Sequence, residues 1–223
     1  MGGTARSGEP DHHLSPSDIV GILDGQPAAA AVLALCCAER LSAIAEHMAR
    51  SPSVGATVRA GLDLGWSTAA GRGPGPGAIG RAISDLDHLL GSPEIKIGQL
   101  HFYLDDAICA ASYALEAVRD GSLTAVRKAV AQCEDTYFQL AASIWPLIGL
   151  EAQLESPIMR EEVARQVRDA QAIAAWGGAV PARPLAALRQ AAHADGEVLV
   201  TLIRNSAEQP PEDPAPIGQL TLF

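Results

Sequence analysis

The sequence predicts an all-α protein whose globular part is a single bundle of seven or eight helices. Hydrophobic residues make up 48% of the 223 residues and aromatic residues only 4%, so the core must consist mainly of Ala, Leu, Val and Ile. Such small side chains let helices approach one another closely. Apolar residues also recur at intervals of three and four in several long segments, which is the period of an amphipathic helix. No segment shows a convincing strand pattern.

Changes in composition along the chain predict the domain boundaries. Residues 1–14 are rich in Gly, Ser and charged residues and lack periodicity, which predicts a disordered N-terminus. Residues 15–205 carry the periodic segments and are long enough for one helical core. Residues 206–223 contain four prolines, which remove amide donors and fix φ, so we expect a disordered tail there.

The first half of the domain is predicted to contain four helices. Ser15 followed by Pro16 is typical of a helix start, and Gly25 ends that first short helix. In the second helix, three charged residues are expected to lie on the solvent side, away from the apolar stripe. These residues are Glu39, Arg40 and Glu46. The four predicted helices cover residues 15–25, 26–50, 54–70 and 78–90.

The second half is predicted to contain the remaining helices. Gly121 is expected to end one of them, and Pro146 to end the next. Glu161 and Arg165 have the spacing of an exposed i,i+4 ion pair. Near the end of the bundle, Asp195-Gly196 predicts a kink or break that turns the carboxylate outward. These helices cover residues 101–120, 122–145, 156–177 and 182–205.

Charge and cysteine content argue against several classes of function. The formal net charge of −10 argues against direct nucleic-acid binding, which depends on clusters of Lys and Arg. The four cysteines lie in apolar helical segments without Cys-x-x-Cys spacing, so we expect buried thiols and neither disulfides nor a zinc site. We find no leader pattern and no apolar stretch that we expect to span a bilayer, which predicts a cytoplasmic protein without membrane contact.

Two groups of side chains could carry chemistry, but each has a simpler explanation. One is a possible carboxylate site for a hard cation around a helix start, comprising His101, Asp105, Asp106 and Glu116. Acidic residues in a first helical turn are also favoured by the helix dipole alone. The other comprises His193, Asp195 and Glu197. The glycine-rich segment 71–77 lacks a Gly-Lys-Ser/Thr element, and no catalytic triad or nucleophile elbow is evident, so we assign no metal, cofactor or catalytic residue.

The last five residues of the sequence form a distinct motif after the proline-rich segment. They read Gln-Leu-Thr-Leu-Phe, and this pentapeptide resembles the motif by which bacterial replication and repair proteins bind the sliding clamp, the β subunit of the DNA polymerase. The resemblance implies that the glutamine binds at the rim of a clamp pocket and that the leucines and the aromatic residue fill it. Those roles would fall to Gln219, Leu220, Leu222 and Phe223, with Thr221 at the variable position. Packing of the same residues on the protein's own core is the alternative.

The helical part resembles a second group, the uncharacterised all-helical bacterial proteins of the YjaG-like kind and the small helical immunity proteins of toxin loci. The resemblance is carried by Cys-Cys-Ala-Glu-Arg-Leu at residues 36–41, by Trp66, and by Asp-Asp-Ala-Ile-Cys-Ala-Ala-Ser-Tyr-Ala-Leu at residues 105–115. It implies a helical fold far more than a function.

The sequence therefore favours a non-enzymatic adaptor that docks on the bacterial sliding clamp through its tail, while the helical domain binds a further partner or ligand. The alternative is an immunity or stress-response protein that acts by protein–protein binding through the bundle. A metal-dependent helical enzyme centred on Asp105 and Asp106 is the weaker third hypothesis.

Overall fold

The computed structural model describes residues 14–92, 95, 100–146 and 149–208, and this part of the chain contains helices and no strand. The predicted all-α fold is confirmed. The described ranges contain nine helices: α1 (Pro16–Gly21), α2 (Pro27–Met48), α3 (Pro52–Ala69), α4 (Pro76–Leu90), α5 (His101–Asp120), α6 (Leu123–Ile144), α7 (Leu150–Leu154), α8 (Pro157–Ala174) and α9 (Ala182–Glu208). Eight of them match the predicted segments. The short α7 was not predicted, because a helix of five residues has too little periodicity to be recognised from the sequence.

Local chemistry explains where several helices begin and end. Ser15 caps α1 through a capping box with Asp18, in which each side chain accepts a hydrogen bond from the other residue's backbone amide. Proline stands in the first turn of five helices, where its missing amide proton costs nothing. Gly121 follows α5 in the left-handed conformation, with φ of 66°, and its amide donates to the Ala117 carbonyl.

Helix α2 is the centre of the bundle. It packs against α3, α5, α6, α8 and α9, and its residues 29–45 are all buried. By length and composition α2 is apolar enough to cross a membrane, although the charged residues Glu39 and Arg40 interrupt its apolar stretch. Within the protein, however, almost all of the apolar part of α2 is covered by other helices, as in the core helix of a globular fold.

Helix α9 is continuous across Asp195 and Gly196, so a helix break at this point is excluded. Gly196 is needed for a different reason. A Cβ atom placed on it would lie 2.4 Å from the carbonyl oxygen of Arg40 and 3.1 Å from the Cβ of Ala43. The glycine therefore allows the α9 backbone to lie directly on α2.

The end of α9 also differs from the predicted domain boundary. The helix continues past residue 205 to Glu208, two residues before the first proline of the tail, Pro210. Ile203 is the last buried apolar residue of this helix. The predicted disorder of the N-terminus up to residue 13, and of the tail from residue 209, lies outside the described residues.

We expect Gly196→Ala to lower the free energy of unfolding by about 1–3 kcal/mol, because the added methyl group meets backbone atoms that cannot rotate away. Urea unfolding followed by circular dichroism measures the change. Gly80→Ala in α4 is the matched control, since no atom lies within 4 Å of the position that its added methyl group would take, and it should be neutral or stabilising by up to about 1 kcal/mol. Equal stability of the two variants would contradict the close α2–α9 contact.

Candidate functional site

The two charged residues in the middle of α2 are buried, contrary to the prediction that they face solvent. The exposed fraction is 1% for Glu39 and 0% for Arg40, whereas Glu46, further along the helix, is exposed as expected. The prediction failed because α2 has neighbouring helices on every side. A charge in such a position must be paired and hydrogen-bonded, since an isolated buried charge is very costly.

Glu39 is bound from two other helices. Its Oε1 atom accepts a hydrogen bond from Nη1 of Arg59 on α3 at 2.5 Å, and its Oε2 atom accepts one from the indole nitrogen of Trp66 at 2.7 Å. From α9, Nε of Arg189 lies 3.4 Å from Oε2, and Nδ1 of His193 lies 3.5 Å from Oε1. The carboxylate thus holds α3 and α9 against α2.

All three guanidinium nitrogens of Arg59 donate hydrogen bonds in this network. It donates to Glu46 through Nε at 2.9 Å, and its Nη2 atom donates to Oγ of Ser42 at 2.7 Å and contacts Glu46 as well. Burial alone would lower the pKa of Arg59, but the hydrogen bonds and charges of Glu39 and Glu46 raise it above its ordinary value. Arg59 is therefore a fixed positive charge at this site.

Above Glu39 lies an open cleft between α2, α3 and α9, with a volume of about 490 Å³. This size is within the usual range for small-molecule sites. The cleft is lined by Glu39, Glu46, Arg59, Ala186, Arg189, Gln190 and His193. Six of these seven residues have polar or charged side chains, whereas most ligand pockets are lined mainly by hydrophobic and aromatic side chains.

Further charged groups surround the cleft. Glu197 lies between two histidines, with its Oε1 atom 2.8 Å from Nε2 of His47 and 3.8 Å from Nε2 of His193. At the α3 side, Arg189 donates to Asp63, and its guanidinium lies 5.9 Å from the centre of the Trp66 ring. Two of the three residues singled out in the sequence around Asp195 thus lie at this cleft, namely His193 and Glu197.

Arg40 is bound on another side of α2, by α8. Its Nη1 atom donates to Asp169 at 2.6 Å, and its Nη2 atom lies 3.2 Å from Oε1 of Glu162. Two buried thiols complete this cluster, since Nη2 lies 3.6 Å from Sγ of Cys37 and the thiol of Cys133 donates to Glu162 at 3.2 Å. Burial alone would lower the pKa of Arg40, but the surrounding groups, Glu162 first, raise it well above its ordinary value.

Helix α8 consequently turns polar residues toward the core. Glu162 and Gln166 have no exposed surface, and Nε2 of Gln166 donates to Oε1 of Glu162 at 3.0 Å. Arg165 does pair with Glu161 as predicted, but its side chain is buried rather than exposed, lying 6.0 Å from the centre of the Tyr137 ring and 3.6 Å from Asp195. Cys36, Cys37 and Cys133 are buried free thiols, as expected, whereas the free thiol Cys109 is only partly buried, contrary to the expectation.

Glu134 of α6 adds a further carboxyl group near this cluster. Burial raises its pKa to about 8, and the negative charges of Glu162 and Asp135 add to the effect. Its Oε1 atom has no hydrogen-bond partner among the described residues. The side chain is therefore largely protonated at neutral pH.

Asp106, a member of the possible cation site, is a buried link between α5 and α6. It accepts hydrogen bonds from Gln132 at 2.5 Å, Thr136 at 2.9 Å and Gln139 at 3.2 Å, all on α6. Burial raises its pKa to about 6, although the hydrogen bond from Thr136 opposes the shift. Because α5 begins at His101, Asp105 and Asp106 lie in the second turn and not in the first, so the dipole explanation does not apply to them.

The remaining members of that predicted set are not brought together with Asp106. At the start of α5, the rings of His101 and Phe102 are in contact, with their centres 3.8 Å apart. Glu116 is nearly three turns beyond Asp106 on the same helix. Within the described ranges, no three His, Cys, Asp or Glu side chains are placed to share a metal ion. The residues 219–223, predicted to bind the clamp, lie outside the described part of the chain.

The sequence did contain a signal for the buried network that periodicity missed. Every residue from 28 to 38 is apolar, so this half of α2 has no polar face. A helix that is apolar all round is buried, and a Glu-Arg pair directly after such a segment indicates buried ion pairs. The partners Arg59, Arg189 and Glu162 come from distant segments and carry no comparable signal.

Comparison of the chain with protein-family models, curated proteins and solved structures gives no match. Both resemblances described above therefore stay predictions, and function is argued from the contacts and the tail sequence.

The two raised carboxyl pKa values predict a pH dependence of stability. The folded protein keeps a proton on Asp106 up to about pH 6 and on Glu134 up to about pH 8, whereas the unfolded chain has lost both protons above about pH 4 to 5. Stability should therefore fall as pH rises from about 4 to about 8, with only Glu134 contributing above about pH 6. We expect a melting temperature several degrees lower at pH 8 than at pH 6.

Glu134→Gln should remove most of this dependence between pH 6 and 8, because the amide stays neutral throughout. Calorimetric melting at constant ionic strength measures the effect. Glu151→Gln, at an exposed position in α7, is the matched control and should keep the parent's slope. A Glu134→Gln variant with an unchanged slope would show that another group is responsible.

Proposed function

We propose that the protein is a non-enzymatic adaptor that docks on the bacterial sliding clamp through residues 219–223, while the helical bundle binds a further partner or ligand. The observation that carries the proposal is the sequence Gln-Leu-Thr-Leu-Phe directly after a segment with four prolines. Proline-rich segments act as semi-rigid spacers, which suits a docking peptide that must reach a pocket on another protein.

The arrangement of the bundle supports separate binding roles for the bundle and the tail. The described helices already cover α2, and the last buried apolar residue of α9 is Ile203, more than one turn before the helix ends at Glu208. The chain therefore leaves the bundle at its surface. The charged cleft between α2, α3 and α9 offers a separate binding surface.

A second candidate function is protein–protein inhibition by the bundle itself, as in an immunity protein. The formal net charge of −10 favours this alternative, since an acidic surface attracts and orients a basic partner. The two functions differ in their need for the tail. Removal of residues 209–223 should abolish clamp binding but should leave inhibition of a basic partner unchanged.

For the adaptor, we expect the protein to bind purified bacterial clamp with a micromolar Kd, equivalent to about −8 kcal/mol. Replacing both Leu222 and Phe223 by alanine should weaken binding at least about tenfold, because a few apolar anchors dominate such interfaces. Thr221→Ala is the matched control and should bind like the parent. Surface plasmon resonance with immobilised clamp measures all three.

Two results would exclude the adaptor. One is no binding of the intact protein at tens of micromolar clamp, and the other is equal binding by the double-alanine variant. The melting temperature of the double variant decides between docking and self-packing. If Leu222 and Phe223 packed in the protein's own core, their loss would cost roughly 1.5–3 kcal/mol each, whereas a docking peptide predicts no change.

A further inference from the structure

The α2–α3–α9 cleft contains polar groups that the network around Glu39 does not use. On the α9 wall, the Nη1 atom of Arg189 and the side-chain amide of Gln190 donate no hydrogen bond to any described residue. Gln190 is exposed, and the Arg189 side chain is about one-third exposed. Both groups therefore present free donors to a molecule in the cleft.

His193 lies on the same wall, beside the charged network. Its Nδ1 atom lies 3.4 Å from Nη2 of Arg59 and 3.5 Å from Oε1 of Glu39. Both protons of Nη2 are already donated, to Ser42 and Glu46, so Glu39 is the partner of Nδ1. Nε2 is 3.8 Å from Glu197, too far for a direct hydrogen bond, and makes none to any described residue.

The opposite wall, formed by α2, presents an acceptor. Glu46 receives both of its contacts from Arg59 on a single oxygen, Oε1, and its Oε2 atom accepts no hydrogen bond within the described part of the chain. The Glu46 side chain is about one-quarter exposed. Glu39, by comparison, has partners on both oxygens and forms the floor of the cleft.

The cleft is thus polarised, with free donors on one wall and a free carboxylate oxygen on the other. Its lining is balanced in charge, because Glu39 and Glu46 oppose Arg59 and Arg189. The rim is slightly acidic: Asp63 and Glu197 face it, whereas Arg204 lies beside His47 and donates to its carbonyl. A purely anionic ligand would meet the acidic rim, and a purely cationic one would gain no hydrogen bond from the α9 donors.

We propose that this cleft binds a small dipolar ligand of the amino-acid or dipeptide class. The carboxylate of the ligand pairs with Arg189 and Gln190, and its ammonium group pairs with Glu46. An Arg–carboxylate pair can be bidentate, which gives orientation as well as affinity. The inference rests on the proposed function only in that the bundle binds a ligand, and it is independent of the tail.

Three matched probes test the requirement for both charges. Glycylglycine carries both, glycylglycinamide carries only the ammonium group, and N-acetylglycylglycine carries only the carboxylate. The indole N–H of Trp66 is a built-in reporter, because it donates to Glu39 while Arg189 lies over its ring. Two-dimensional ¹H–¹⁵N NMR of the intact protein follows this signal, which is assigned with Trp145→Phe and Trp176→Phe variants.

We expect glycylglycine to shift the Trp66 signal with a millimolar Kd, at least about tenfold tighter than either single-charge probe. Glu46→Gln should reduce the preference for glycylglycine over N-acetylglycylglycine, and Arg189→Gln should reduce its preference over glycylglycinamide. Asp85→Asn, an exposed carboxylate in α4 away from the cleft, is the matched control and should leave all three affinities unchanged.

Equal binding of glycylglycinamide and glycylglycine would overturn the proposal in favour of a cation site, and equal binding of the acetylated probe would overturn it in favour of an anion site. No shift with any probe at about 100 mM, far above a millimolar Kd, would overturn it altogether. Clamp binding by residues 219–223 is measured separately, so a failure of the cleft is distinguishable from a failure of the adaptor.

Discussion

The fold depends on one constraint, which is that two adjacent opposite charges lie in the middle of a helix with neighbours on every side. Consecutive residues of a helix point about 100° apart, so Glu39 and Arg40 face different neighbours. Glu39 is held by α3 and α9, and Arg40 is held by α8. Since neither charge could be buried without its partners, the ionic contacts select which helices can pack on α2.

The two ionic clusters differ in access to solvent. This difference distinguishes the cluster that serves packing from the cluster that forms the candidate binding site. Around Arg40, the guanidinium and Glu162 have no exposed surface, so this cluster serves packing. Around Glu39, the same kind of network opens into a cleft, where Arg189, His193 and Glu46 are partly exposed. A buried carboxylate below an open cleft holds such groups in fixed positions before any ligand arrives, which lowers the entropy lost on binding.

The fold class was predictable because hydrophobic periodicity is a local property of the sequence. Eight helices and several ends, such as Gly121 after α5, follow from it. The sites were less predictable, because Glu39 meets Arg59, Trp66 and Arg189 only after the chain has folded. Periodicity also misplaced Glu39, Arg40 and Arg165, since it assigns charged residues to solvent and takes no account of their partners. Local propensity marks Gly196 as a helix breaker, whereas in the fold it allows close contact between α9 and α2.

The most direct test of this account is the stability of Arg40→Met, measured by urea unfolding. If the buried pairs hold α8 on α2, the variant should lose about 3–5 kcal/mol, because Glu162 keeps a buried charge whose remaining cationic contact, Arg165, is the more distant one at 3.7 Å. Adding Glu162→Gln should restore part of that loss by removing the unpaired charge, and Arg72→Met, at an exposed loop position, should have no effect. An Arg40→Met variant within about 1 kcal/mol of the parent, or a further loss on adding Glu162→Gln, would contradict the account.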